Sequence, residues 1–255
     1  VFMPNASMLA QAVVPQWIKA FGTRWFMVTT SSFDGKAMAQ AVVTAGQPHG
    51  VEFVGEMLMP FGSTDFTAAL AAAEEKHPTL VVFNLYGWDL VHALKAYGKA
   101  ELAKAQIGVG GLISGEQIGR PLGYAHNAGI WGLIWDPKVN TEGSRRFIQS
   151  VVEKYNHTPT SRCYLGYAAM TQILEAIQRV GSTETLALIK ALEGHEFDGL
   201  KKGRSYFRAS DHQHVQDVLV GEAYGKELGL GHYKILATVP GERFTPGPEA
   251  GQCQL

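Results

Sequence analysis

Short apolar runs of four to seven residues alternate with amphipathic stretches between residues 8 and 137, and this rhythm leaves the chain few ways to fold. A strand that is apolar throughout must be covered on both faces. Helices that follow each strand do this by packing on either side of a parallel sheet. Residues 8–21 place Leu9, Val13, Val14, Trp17, Ile18 and Phe21 at spacings of three and four, the pattern of a helix with one buried face. Trp25-Phe26-Met27-Val28 reads as a buried strand, 31–35 as a polar turn and 36–45 as a helix. The unit then recurs. A strand at 51–54 leads through Ser63-Thr64-Asp65 to a helix at 66–75, with Asp65 at its positive end and His77-Pro78 as its stop. A strand at 80–83, a loop at 84–88 and a helix at 89–97 follow, then a strand at 107–110 and another at 129–135 closed by Asp136-Pro137. The fold class expected is α/β.

Beyond Pro137 the helices lengthen, to 142–155, 167–180 and 184–192. Residues 199–211 carry no helical period, 215–220 resumes as strand, and the Pro- and Gly-rich tail 240–255 is expected to wrap over a surface.

Several classes are excluded. Lys and Arg number 22 against 23 Asp and Glu, and basic residues cluster only in pairs such as Arg145-Arg146 and Lys201-Lys202, so nucleic acid is not an expected partner. No apolar run approaches the roughly 20 residues that span a bilayer. The first residues lack the basic and apolar regions of a signal peptide, so an exported protein would have lost its signal. The two cysteines, Cys163 and Cys253, allow one bridge at most, or remain separate thiols. There is no GxSxG, HExxH, GxxxxGK[ST] or strand-linked GxGxxG motif, and His212-Gln213-His214 offers two imidazoles without a third ligand nearby. No enzyme activity, cofactor or metal is expected.

The turns carry a resemblance. Residues 24–35 resemble the strand and turn of periplasmic receptors for branched-chain amino acids, with Phe33-Asp34-Gly35 where that family usually has Tyr-Gly-x-Gly. Residues 59–66 resemble its P-x-x-x-x-D-F segment, and 79–95 its next strand and helix. Residues 161–169 are similar to its GY-[DA]-A helix start, and Gly181-Ser182-Thr183 to its AGS turn. Phe197-Asp198-Gly199-Leu200 and 208–213 are similar to its fdGp and R-x-x-D-H-Q segments. Each match is weak alone, but their order and spacing span nearly the whole chain.

The resemblance implies the type I periplasmic-binding-protein fold, two Rossmann-like lobes closing on a ligand, with one lobe complete here and the other partial. Residues 22–137 would form the second lobe. Residues 1–21 and 138–255 would supply crossing segments, returning helices and strand of the first lobe, and the C-terminal tail. About a hundred residues of the first lobe have no counterpart before Val1, so the apolar faces of the helices between 142 and 180 should lack their cover. A truncated chain, a separately numbered fragment or a partner chain would account for this. The implied role is that of an extracytoplasmic, periplasmic receptor delivering a small-molecule ligand to an ABC-transporter permease. A ligand-sensing domain of a regulator or receptor is the rival reading, since the same fold serves all of these.

Such a receptor needs donors for a carboxylate and an apolar wall on turns at the strands' C-terminal ends. Ser31 and Ser32 offer hydroxyls and N–H groups at a helix start, a natural anion site, unless Ser32 or Asp34 merely caps the helix. By similarity, Phe33 takes the place of the family's ligand-facing Tyr, unless it packs in the core, and Tyr86 that of a tyrosine whose hydroxyl meets the ligand. Gly87 and Trp88 extend this second turn; Trp88 stacks on a ligand ring or plugs the surface, and Asp89 caps the following helix. In the third turn Leu112 stands where amino-acid receptors place a glutamate, and Glu116 lies farther along. That change disfavours a ligand ammonium and favours an organic acid, aromatic for preference, or an amide, over a branched-chain or other neutral amino acid. Arg162 pairs bidentately with a carboxylate or serves as a surface salt bridge or cap.

Overall fold

The first helix, α1 (Ala6–Phe21), starts at Asn5, whose Oδ1 accepts the Met8 N–H at 2.9 Å. It buries Leu9, Val13 and Trp17, as its spacing requires. The Trp17 indole donates to the Ile130 carbonyl at 2.9 Å, across a sheet whose Gly110 leaves room for it: a Cβ there would lie 2.5 Å from Trp17 Nε1. This computed structural model describes residues 2–123, 128–228 and 231–244.

The strand–helix rhythm continues as β1 (Arg24–Thr30), α2 (Phe33–Gly46), β2 (Glu52–Met59), α3 (Thr67–Glu75), β3 (Leu80–Asn84), α4 (Gly87–Tyr97), the short α5 (Glu101–Lys104), β4 (Gly108–Ser114), α6 (Glu116–Leu122) and β5 (Ile130–Leu133). Then come α7 (Glu142–Tyr155), α8 (Ser161–Val180), α9 (Thr185–Leu192), the two-residue strands β6 (Tyr206–Phe207) and β7 (His214–Val215), β8 (Val218–Leu228), β9 (Gly231–Val239) and α10 (Gly241–Phe244). One seven-stranded sheet has the order β2-β1-β3-β4-β5-β8-β9. Its strands β1 to β5 pair in parallel, and β8 and β9 add antiparallel. The α/β expectation holds.

Both faces of the sheet are covered, which explains the continuous apolar runs. On β3 every residue is buried, yet Val81 and Phe83 belong to the core beneath α3, α4 and α6, while Leu80 and Val82 belong to the core beneath α1 and α2. Burying each such side chain contributes about 1.5–3 kcal/mol, so this one strand anchors both layers.

A third, smaller core lies off the sheet, where Ile134 and Trp135 meet Phe147 of α7, Tyr164 and Ala168 of α8, and Leu200. Thr141 and Thr160 cap α7 and α8 through their hydroxyls. The opposite faces of these helices are bare. Tyr155, Tyr167, Met170 and Leu174 are all exposed, as the sequence pattern led us to expect.

Several boundaries differ from the sequence reading. Strand β2 runs on to Met59, because its edge position tolerates a mixed pattern. Helix α8 begins at Ser161 instead of 167, since Thr160 is the cap. The strand expected at 215–220 is β8, and it pairs with β5 (Leu133 beside Leu219), so the sheet takes strands from both sides of residue 137. The hairpin of β8 and β9 was not anticipated. Most of the 240–255 tail lies outside the described residues.

Candidate functional site

Three strand-to-helix turns meet at the C-terminal edge of the parallel strands. At the first, Ser32 caps α2, its Oγ accepting the Gly35 N–H at 3.2 Å. Gly35 is required there, since a Cβ would lie 2.2 Å from the Thr30 carbonyl oxygen. Ser31 is exposed and its N–H donates to Met59 at 2.7 Å; Phe33, in the first turn of α2, is 87% exposed. Asp34 is not the cap.

At the second turn, Tyr86 precedes α4 without a side-chain capping bond. Its hydroxyl lies 3.3 Å from Ser32 Oγ, so the two turns converge on one pair of hydroxyls although 54 residues separate them. Gly87 opens the helix with φ of +61°, a conformation that suits glycine. Trp88 is exposed, its ring 6.2 Å from that of His92. Asp89 does not cap α4. It is buried, and its Oδ2 accepts the Gly62 N–H at 3.0 Å, which fixes the turn carrying Phe61. The Phe61 ring, also exposed, packs 5.7 Å from the Tyr86 ring. The sequence reading missed Phe61; the Pro60-Phe61-Gly62 turn was the available signal.

The third turn required correction. Strand β4 continues to Ser114, so Leu112 sits two residues inside it, buried in the core under α1 and away from the edge. The turn is instead Ser114-Gly115-Glu116. Glu116, the first residue of α6, is buried, and its Oε2 accepts the Ser161 N–H at 3.1 Å. That bond ties the third turn to the start of α8, where Arg162 is exposed. The Ser114 and Tyr233 hydroxyls lie 2.7 Å apart below it.

Beneath these turns the edge is polar and buried. Thr30 Oγ1 and Asn84 Oδ1 are buried without a hydrogen-bond partner among the described residues, while Asn84 Nδ2 donates to Thr29 Oγ1 at 3.1 Å. Burial, with the nearby Glu116 carboxylate, pushes Asp136 up to about 6, against the opposing N–H of Lys138. These turns therefore offer hydroxyl groups and exposed aromatic faces, and Arg162 adds an exposed guanidinium at the start of α8. Among the described residues no group of three or more His, Cys, Asp or Glu is arranged for a metal. His214 is buried with Nδ1 3.0 Å from the Phe2 carbonyl oxygen, and His212 pairs with Glu193. Cys163 is exposed; Cys253 and any bridge to it lie outside the described residues. No helix among the described residues is long and apolar enough to cross a membrane.

A parallel sheet of this strand order, with polar turns along its C-terminal edge, has the general plan of ligand-binding α/β folds. A family model described as periplasmic binding protein matches residues 1–227, and the chain belongs to that family. A comparison with curated proteins returned no match. Among solved structures, a periplasmic binding protein from Burkholderia mallei has a TM-score of 0.84 at 23% identity, covering 94% of this chain and 64% of its own. An amino acid ABC transporter substrate-binding protein from Pseudomonas fluorescens has a TM-score of 0.90 at 20% identity, covering 100% of this chain and 69% of its own. An ABC transporter solute-binding protein from R. palustris, in complex with benzoate, has a TM-score of 0.80 at 20% identity, covering 92% and 64%. At these identities the likeness is one of fold, the type I periplasmic-binding-protein fold, and the chain spans 64% of the length of the first of these structures.

Proposed function

We infer that this chain is the ligand-receiving part of an extracytoplasmic solute receptor, one that hands a small organic acid or amide to an ABC-transporter permease, with an aromatic acid favoured. The observation that carries the reading is the convergence of Ser32 Oγ and Tyr86 OH, 3.3 Å apart, at the N-termini of α2 and α4. Two hydroxyls and two helix starts suit a carboxylate, because unpaired N–H groups and the positive end of each helix dipole favour an anion. Phe33 and Trp88, in the first turns of α2 and α4, and Phe61, whose ring lies 5.7 Å from that of Tyr86, are exposed rings. Arg162, exposed at the start of α8, is the guanidinium that would pair with the carboxylate in this reading. The benzoate held by the R. palustris structure is consistent with this choice. The role is one of binding, and no covalent chemistry is proposed.

A neutral amino acid is the second reading. Glu116 on the corrected third turn favours it, as does the amino acid receptor of Pseudomonas fluorescens among the similar structures. Calorimetric titration with benzoate and with leucine separates the two. Heat from benzoate alone supports the aromatic acid; tight leucine binding with no response to benzoate removes it.

A further inference from the structure

We propose that Phe61 sets the receptor's preference for a planar ring in its ligand, and that Asp89 is the positioning residue that holds Phe61 in place; the inference rests on the aromatic-acid reading above. The turn between β2 and α3 is built more firmly than a surface loop needs. Ser63 closes it twice on the Pro60 carbonyl, through its N–H at 3.2 Å and its hydroxyl at 2.6 Å. Gly62 supplies φ of +85°, and the Met59 carbonyl accepts the Ser31 N–H from the first turn. The last tie is Asp89, a carboxylate only 4% exposed, whose Oδ2 accepts the Gly62 N–H. Burying a carboxylate is costly unless hydrogen bonds compensate it, so this one is placed where it fixes a neighbouring turn.

What the turn presents is a single exposed ring. Phe61 is 66% exposed, and its ring lies 5.7 Å from that of Tyr86 with the planes 35° apart. Trp88, on the other side of Tyr86 in sequence, tilts toward His92 instead. Tyr86 thus joins two functions: its hydroxyl meets Ser32 at the polar end, and its ring is backed by Phe61. An acid whose carboxylate sits at the hydroxyl pair lays the rest of its body along this wall, where a flat π face gains over a puckered aliphatic one.

The test compares benzoate with cyclohexanecarboxylate, which share charge and approximate size, by calorimetry on the unsubstituted chain and on Phe61→Ala, Phe61→Leu, Asp89→Ala and Asp89→Asn. The unsubstituted chain should prefer benzoate, and Phe61→Ala should weaken benzoate by about tenfold, as a ring–ring interaction predicts, while changing cyclohexanecarboxylate little. Phe61→Leu should lose the same preference despite keeping apolar area. Asp89→Ala should lose it too, and Asp89→Asn, which retains an acceptor for Gly62, should restore it. An unchanged ratio in Phe61→Ala overturns the inference, as does an equal loss for both acids, which would mark Phe61 as a contact between lobes. A lower melting temperature in Asp89→Ala with the ratio intact overturns the role of Asp89. Binding of leucine but neither carboxylate removes the aromatic-acid reading and this inference together, whereas benzoate binding indifferent to Phe61 removes the inference alone.

Discussion

Trp135 and Tyr164 lie face to face, ring centroids 5.7 Å apart and planes 7° from parallel, at the point where the chain has left β5 and α8 has just begun. Phe147 meets Trp135 edge-on at 5.5 Å, and the Tyr164 hydroxyl donates to the Gly199 carbonyl at 3.2 Å. These rings hold the helical excursion against the sheet. Trp135→Ala should cost about 3–5 kcal/mol, the usual range for emptying a buried aromatic site. Denaturant titration followed by near-ultraviolet circular dichroism checks this, and a change below about 1 kcal/mol would mean that the stack is dispensable.

Asp136 makes stability depend on pH in a direction opposite to that of most carboxylates. Its folded-state value of about 6 lies above the ordinary 3.8, so between these the folded chain holds more protons than the unfolded one. Stability from this group therefore falls as pH rises through that window, and the full cost of the buried charge is present above about pH 6. Asp136→Asn, which keeps an acceptor for the Lys138 N–H, should stabilise the protein at pH 7.5 by at most about 3 kcal/mol, at about 1.4 kcal/mol per pKa unit. At pH 4 it should make little difference. Melting temperatures at the two pH values decide it; equal effects at both would contradict the assignment.

Ser32 and Tyr86 should separate binding from stability. Ser32→Ala removes both the α2 cap and a hydroxyl of the site, so it should cost about 1 kcal/mol of stability as well as affinity for benzoate. Tyr86→Phe removes a hydroxyl that caps nothing, and should weaken benzoate about tenfold with the melting temperature nearly unchanged. Undiminished benzoate affinity in Tyr86→Phe would remove the hydroxyl pair from the site.

The exposed strip on α8, Tyr167, Met170 and Leu174 at spacings of three and four, should make the 255-residue chain self-associate or bind an apolar dye. Leu174→Lys should reduce both, with stability changed by less than about 0.5 kcal/mol, as for other surface positions. Sedimentation velocity and dye fluorescence measure the two effects. A chain that is monomeric and dye-silent before substitution would show that this strip does not act as a sticky surface.

The alternation of apolar runs made the parallel sheet legible, because residues such as Val81 and Val82 must be buried on opposite faces at once. The same property hid the third turn. Where both faces are covered, Val109 and Leu112 are equally apolar, and nothing in the run marks its end two residues later at Ser114. The caps were half legible. Ser32 was open to capping from its position, whereas Asp89 lies in the first turn of α4 and spends its carboxylate on Gly62, a tertiary partner that local spacing does not reveal. Phe61 was invisible for the same reason, since its meaning depends on Tyr86, brought beside it by the sheet. The β8–β9 hairpin lacked a turn signature of the Asn-Gly kind, and its strands continue a sheet whose other members are parallel.

The pairing of β5 with β8 has a consequence for engineering. The chain departs the sheet after Leu133 and returns at Val218, and these ends are neighbours, with Leu133 opposite Leu219. Everything between is a detour that starts and finishes at one doorway. A tight connector joining β5 directly to β8 would turn the detour into an ordinary hairpin, and the seven strands would keep their order. The Ser32–Tyr86 face is built from β1, β3 and their helices, entirely outside the excised stretch, so a minimal scaffold carrying that face is already written into the topology.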